Sequence, residues 1–183
     1  LKSLDKKEVN SGLGEMIKYG AIWDKDLFEK IFTWLDNPSS FPFEKAIIDA
    51  VKIKSDIVSK DEKEKGLRTI LNFGHTIGHA IESYYGYERI KHGEAVAFGM
   101  KCAGFISNRK RLLSAEAKNK LFSILEKLTL PDISDLDKKE IIKKIKSDKK
   151  SKKGRVKFVL LSDIGKTKIV SSVPQNLIED SLE

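Results

Sequence analysis

The chain has 183 residues, 40% hydrophobic and 34% charged, with a formal net charge of +8. That is the balance of a globular protein long enough to bury a real core, and it excludes a membrane-spanning helix, since no apolar run approaches the ~20 residues one needs. A single cysteine, Cys102, excludes an intrachain disulfide, and with no signal-peptide pattern in view a reducing cytoplasm is the expected location.

The opening "LKSLDKKEVNSGLGE" lacks an initiator Met and runs almost at once into a dense motif, as expected of a fragment of a longer polypeptide. "KEVNSGLGEMIKYGAI" and "KDLFEKIFTWL" read as two helices closed by the breaker cluster "DNPSSFP". "FEKAIIDAVKIKSDIVSK" reads as a third, with Ile47, Val51 and Val58 on one apolar stripe that also carries Lys54. A helix is expected from about Gly66 to Tyr84, then a turn region "YGYERIKHG" and a helix "GEAVAFGMKCAGFISNRK". Amphipathic helices follow in "SAEAKNKLFSILEKL" and "DKKEIIKKIK". The segments "RVKFVLLS" and "KTKIVSS", separated by "DIGK", read as a hairpin. The fold class is therefore mainly α with a small C-terminal β-hairpin, expected as one domain over residues 1–183.

The positive charge concentrates in "DKKEIIKKIKSDKKSKKGRVK". Neutralisation of nucleic-acid phosphates is one reading. A solvated lysine-rich face is the favoured one, because no aromatic residues are interleaved and Arg is scarce. A third is that one lysine meets a phosphate on a small ligand.

Glu64, Arg68, Asn72, His75 and His79 are spaced four, four, three and four apart. At ~100° per residue they drift by only about 60° over four turns, forming a polar ridge. Leu67, Ile70, Leu71, Phe73, Ile77, Ala80 and Ile81 cover much of the remaining surface of that helix, so it is expected to be buried with the ridge facing a cleft. Gly74 and Gly78 each cost a helix interior roughly 1 kcal/mol relative to Ala, a cost tolerated where another backbone or a ligand comes close.

The chain's three histidines all lie between positions 75 and 92. Such a concentration favours a metal or catalytic cluster, and a carboxylate would complete a catalytic zinc set of two His and one acid. Glu15, on a helix that also contains Gly12, Gly14 and Gly20, is a candidate, with Glu94 and Glu64 as competitors; periodicity does not choose among them.

The blocks "SGLGEMIKYGAI", "DEKEKGLRTILNFGHTIGHAIE", "HGEAVAFGM" and "SDKKSKKGRVKFVLLSDIG" together resemble, in order, the C-terminal half of the 3-dehydroquinate synthases, within the sugar-phosphate cyclase superfamily. The resemblance implies a zinc- (or cobalt-) and NAD-dependent enzyme of the shikimate pathway, acting on a seven-carbon keto-acid sugar phosphate and leading towards the aromatic amino acids. It implies Glu15, His75 and His92 as metal ligands, with His79 in proton transfer near the substrate phosphate and Glu64 as a proton acceptor. Lys18, Lys54, Arg68 and Asn72 map onto positions that hold the substrate's carboxylate, hydroxyls and phosphate. Lys149 or Lys150, with Lys149 preferred, maps onto a further phosphate contact. Gly14 stands where the family often has Ala, a departure that touches none of the mapped polar residues.

An Arg fork and lysine point charges suit such a doubly anionic substrate, and they argue against 2-deoxy-scyllo-inosose synthase or a polyol dehydrogenase as the nearer relative. Lys54 on an apolar stripe makes sense if it pairs with a bound anion. The expected partners are the small-molecule substrate and, for the full-length protein, a second copy of itself, with neither nucleic acid nor membrane. NAD would sit mainly on the family's N-terminal nucleotide-binding domain, which is absent from this sequence, so the chain is expected to be inactive alone.

Overall fold

The computed structural model describes residues 3–63, 66–86, 89–151 and 156–183, with the backbone alone at 148–151. Three helices come first: α1 (Lys6–Ile22), α2 (Lys25–Trp34) and α3 (Phe43–Lys60). Asp5 caps α1 by accepting from the Glu8 amide, and Asp24 caps α2 by accepting from that of Leu27, each satisfying an amide without a helical partner. A 3₁₀ turn, Pro38–Ser40, sits inside the breaker cluster. The chain continues through a 3₁₀ segment, Leu67–Asn72, into α4 (His75–Tyr85) and α5 (His92–Arg109). After α6 (Ala115–Leu125) and α7 (Lys138–Ser151), an antiparallel hairpin pairs β1 (Phe158–Asp163) with β2 (Lys166–Val170), Phe158 opposite Val170, and a short α8 (Gln175–Asp180) follows. The mainly helical class with a C-terminal hairpin is what the sequence led us to expect; α8, after the hairpin, is an addition.

The helix expected from Gly66 to Tyr84 is not continuous. Leu67–Asn72 winds as 3₁₀, and Gly74 takes φ +80° ahead of α4, a left-handed conformation that a side chain disfavours. The ridge from Arg68 to His79 is thus split across two differently wound segments. A second correction concerns α3. Its buried face is Ala46, Ala50, Ile53 and Ile57, whereas Val51 is 59% exposed and Ile47 and Val58 are half-buried, Ile47 against the edge of the core, so the expected stripe of Ile47, Val51 and Val58 is not the core face and Lys54 on it is exposed. The two stripes differ by one residue, about 100° of rotation, and both are apolar in sequence.

α5 is the central element, buried from Gly93 to Ser107 on most sides and packed against α1, α4, α6 and β1. Small residues make this possible. A Cβ at Gly99 would overlap the carbonyl oxygen of Gly74, and one at Gly78 would stand 2.9 Å from the carbonyl oxygen of Ala95. On the other side a Cβ at Gly93 would overlap the carbonyl oxygen of Ser11, and one at Gly14 would lie 2.6 Å from that of Gly93. The approach of another backbone, expected at Gly74 and Gly78, is thus that of α5.

The hairpin docks on this core. Phe158, Val159, Leu160 and Leu161 are all buried, the Leu161 amide donates to Ser107 Oγ at 3.0 Å, and the Gly165 amide donates to the Ala21 carbonyl at 2.8 Å. Cys102 is buried on α5, and its thiol is pushed up to about 11 by burial. No described helix is long and apolar enough to cross a membrane.

Gly99→Ala is expected to destabilise the chain by about 3 kcal/mol or more, because backbone carbonyl and Cβ cannot share that space. Gly12→Ala, on α1 with nothing within 4 Å of the added methyl, is expected to stabilise by ~0.5–1 kcal/mol. Urea unfolding midpoints of the two variants check the pair, and equal midpoints would refute the close-packing account.

Candidate metal centre

Three elements bring the candidate ligands together. Glu15 comes from the middle of α1, His75 is the first residue of α4, and His92 is the first residue of α5. Glu15 Oε1 lies 3.9 Å from His75 Nε2 and 3.9 Å from His92 Nε2. This oxygen is buried and, among the described residues, has no hydrogen-bond partner. The other oxygen, Oε2, accepts from Lys18 Nζ at 2.8 Å. His79 follows one turn after His75; it is exposed, and ring nitrogens of His75, His79 and His92 lie within 4.8 Å of one another.

An unsatisfied buried carboxylate oxygen facing two imidazole nitrogens is a costly arrangement unless a cation completes it. Ligand atoms each ~2.0–2.2 Å from one ion can stand at most about 4 Å apart, and the 3.9 Å separations fall within that reach. Carboxylate and neutral imidazole are also the donor types of a catalytic zinc site. The residues present therefore fit such an ion.

The electrostatics agree. Burial pushes the Glu15 carboxyl up, but the Lys18 ammonium with its hydrogen bond, and then His75 and His92, outweigh it and hold the group below the usual value. Burial, and next the Lys18 charge, press His75 from the ordinary 6.5 down to about 4, so the ring is neutral at neutral pH. Its Nδ1 lies 3.1 Å from the Phe73 carbonyl oxygen, which accepts the ring N–H and leaves the Nε2 lone pair toward Glu15. Lys18 is 3% exposed, and burial lowers its ammonium despite Glu15, with Lys54 adding to the fall. Tyr19, beside it, is raised by burial and by the Glu15 carboxylate.

The other expected residues are placed as follows. Lys54 is exposed on α3, close enough for its charge to act on Lys18. Arg68 and Asn72 are half-buried on the 3₁₀ segment, which packs against α1 and α3. The Arg68 guanidinium donates to the Glu62 carbonyl at 3.2 Å, and its amide donates to Asp61 Oδ2 at 3.0 Å. Glu64 lies outside the described residues, as do the side chains of Lys149 and Lys150. Glu94 drops out as a rival ligand, because its buried carboxylate accepts from the Lys91 amide at 2.9 Å and caps α5. Of the basic segment, Lys138, Lys143, Lys144 and Lys146 engage Glu183, Glu140, Ser83 and Gln175, all within the chain.

Glu82 was not anticipated. It is 9% exposed on α4, with Oε2 3.3 Å from His92 Nδ1. Its spacing of three after His79 would have placed it on the histidine face.

The family model "3-dehydroquinate synthase C-terminal" matches residues 12–151. The chain belongs to this family. Among the similar curated proteins, the 3-dehydroquinate synthase of Crocosphaera subtropica is 43% identical over 190 residues, covering 100% of this chain and 52% of the relative. That of Thermoanaerobacter pseudethanolicus is 44% identical over 184 residues, covering 98% and 51%. This member of the family thus spans about half the length of the curated relatives it matches. Among solved structures, the 2-epi-5-epi-valiolone synthase of Streptomyces hygroscopicus subsp. jinggangensis, with NAD+ and Zn2+ bound, has the same fold, with a TM-score of 0.83 at 22% identity over 98% of this chain and 51% of its own. A 2-deoxy-scyllo-inosose synthase complexed with carbaglucose-6-phosphate, NAD+ and Co2+ gives a TM-score of 0.78 at 25% identity, over 100% of this chain and 52% of its own.

The depressed His75 value has a consequence for the metal-free chain. Between its ordinary 6.5 and about 4 the unfolded chain binds more protons than the folded one, so stability is complete above that window and falls as pH drops through it. Urea midpoints measured from pH 7 to 4 should show this decline, and His75→Gln should flatten it; an equally steep decline in the variant would contradict the assignment.

Proposed function

We propose that this chain is the metal- and substrate-binding half of a 3-dehydroquinate synthase, converting 3-deoxy-D-arabino-heptulosonate 7-phosphate to 3-dehydroquinate and phosphate. The observation that carries the reading is the buried Glu15 Oε1, unpartnered among the described residues and facing the Nε2 atoms of His75 and His92. The 43% and 44% identity to 3-dehydroquinate synthases over essentially the whole chain favours this chemistry over 2-deoxy-scyllo-inosose synthase at 25%.

In this reading Glu15, His75 and His92 hold zinc or cobalt, as the donor set allows. Bound there, the metal supplies Lewis acidity toward a substrate hydroxyl and ketone oxygen. NAD supplies the hydride chemistry and is assigned to the part of the relatives' length that this chain does not span.

The chain's own residues define the anion-binding wall. Lys18 and Lys54, with Arg68 and Asn72 on the adjoining 3₁₀ segment, are assigned to the substrate's carboxylate, hydroxyls and phosphate. Lys149 is assigned to a further phosphate oxygen. The guanidinium of Arg68 can grip an oxyanion with two parallel N–H donors, while each lysine acts as a point charge. His79, exposed beside the ligand pair, moves a proton at a phosphate oxygen through a ring nitrogen, and Glu64 accepts one from a substrate hydroxyl. A lone buried Cys102 and the absence of a membrane-crossing helix among the described residues support a cytoplasmic setting.

Elemental analysis of the purified chain is expected to find about one zinc or cobalt per chain, absent from His75→Ala. Failure of the wild-type chain to take up either metal would overturn the metal assignment. Assayed with substrate and NAD, the 183-residue chain alone is expected to give no turnover; measurable product would overturn the division of labour.

A further inference from the structure

For His75 and His92 each to offer an Nε2 lone pair to a cation held beside Glu15 Oε1, each ring must carry its hydrogen on Nδ1, on the far side. At His75 a backbone carbonyl enforces this, and the ring is held by packing, its side chain only 13% exposed. At His92 neither help is present to the same degree. The side chain is 44% exposed, and the acceptor 3.3 Å from Nδ1 is a carboxylate oxygen, Glu82 Oε2, from a different helix.

We infer that Glu82 is a positioning residue for His92: its carboxylate accepts the Nδ1–H, fixes the ring's tautomer and rotation, and so presents the Nε2 lone pair beside Glu15. The inference rests on the proposed metal site and deepens it. Three observations carry it. Glu82 is a buried carboxylate on α4, an expensive placement that a hydrogen bond to a ligand ring compensates. It shares α4 with His75, so one helix supplies a ligand and the group that orients the other. The distance from α4 to α5 is set where Gly78 and Gly99 let the backbones touch, which fixes the Glu82–His92 separation in the framework of the fold. A carboxylate behind a ligating imidazole also raises its basicity, and loss of such a partner typically weakens metal binding ten- to a hundredfold.

The test compares the full chain with Glu82→Ala and Glu82→Gln, without recourse to turnover. Zinc affinity is read by competition with a chromogenic chelator, and the His92 tautomer by ring nitrogen–proton correlation spectra of the metal-free chain near pH 8. Glu82→Ala is expected to weaken zinc binding by roughly ten- to a hundredfold. Glu82→Gln, which keeps the shape and an oxygen acceptor but loses the charge, is expected to show a smaller loss. Wild-type His92 is expected to carry its hydrogen on Nδ1, and Glu82→Ala to shift it to Nε2. Unchanged zinc affinity in the variants, or a wild-type His92 protonated on Nε2, overturns the inference while leaving the metal reading intact. If the wild-type chain takes up neither zinc nor cobalt, the metal reading falls, and the wild-type tautomer still decides the role of Glu82. Should Glu82→Ala fail to fold, the near-isosteric Glu82→Gln decides by its zinc affinity, with equality to wild type counting against us.

Discussion

The constraint on which the rest depends is the contact of bare backbones around α5. Where Gly99 meets Gly74 and Gly93 meets Ser11, no side chain separates the elements, so α4 and α1 approach α5 more closely than packed leucines allow. Glu15 is one residue from Gly14, His75 one from Gly74, and His92 one from Gly93. Each candidate ligand is therefore adjacent to a close-approach glycine, and the tolerance of the cluster is set by main-chain contact. Larger residues there would separate the ligands before they disturbed their chemistry.

Within that frame a single carboxylate is divided between two kinds of partner. Lys18 occupies one oxygen of Glu15, and the imidazoles face the other. The same Lys18 charge, with burial, keeps His75 neutral and thus a donor of electrons rather than of protons. A lone buried ammonium would be unfavourable here, and so would a lone buried carboxylate; each makes the other tolerable while leaving Oε1 for a further cation.

Much of this was legible beforehand, for identifiable reasons. Helical periodicity located α1, α2, α5, α6 and α7, because each has an apolar pattern bounded by a cap or a breaker. The hairpin was legible from a β-rich run around Gly165. The break at Gly74 was not, because its left-handed conformation is imposed by α5, which is remote in sequence, while the local pattern of Leu67 to Ile81 supports one helix. On α3 two apolar stripes competed, and only packing shows that Ile53 and Ile57 face inward. Among the acids, spacing alone left Glu15, Glu64 and Glu94 equivalent; Glu94 is separated from Glu15 by its use as a cap, a local hydrogen bond. Glu82 escaped although it lies on the histidine face of α4, because its partner is on the next helix, ten residues away in sequence.

That His75 and His92 each open a helix has one more consequence. The peptide dipoles of α4 and α5 both present their positive ends to the histidine cluster, as partial charges on amides without helical acceptors. Two such ends converging on one spot raise the electrostatic cost of a proton on a nearby ring and lower that of a negative group entering beside it. The winding of the chain thus adds partial positive charge beside the Glu15 and Glu82 carboxylates before any lysine is counted, and that contribution persists through substitutions that leave the two helix starts in place.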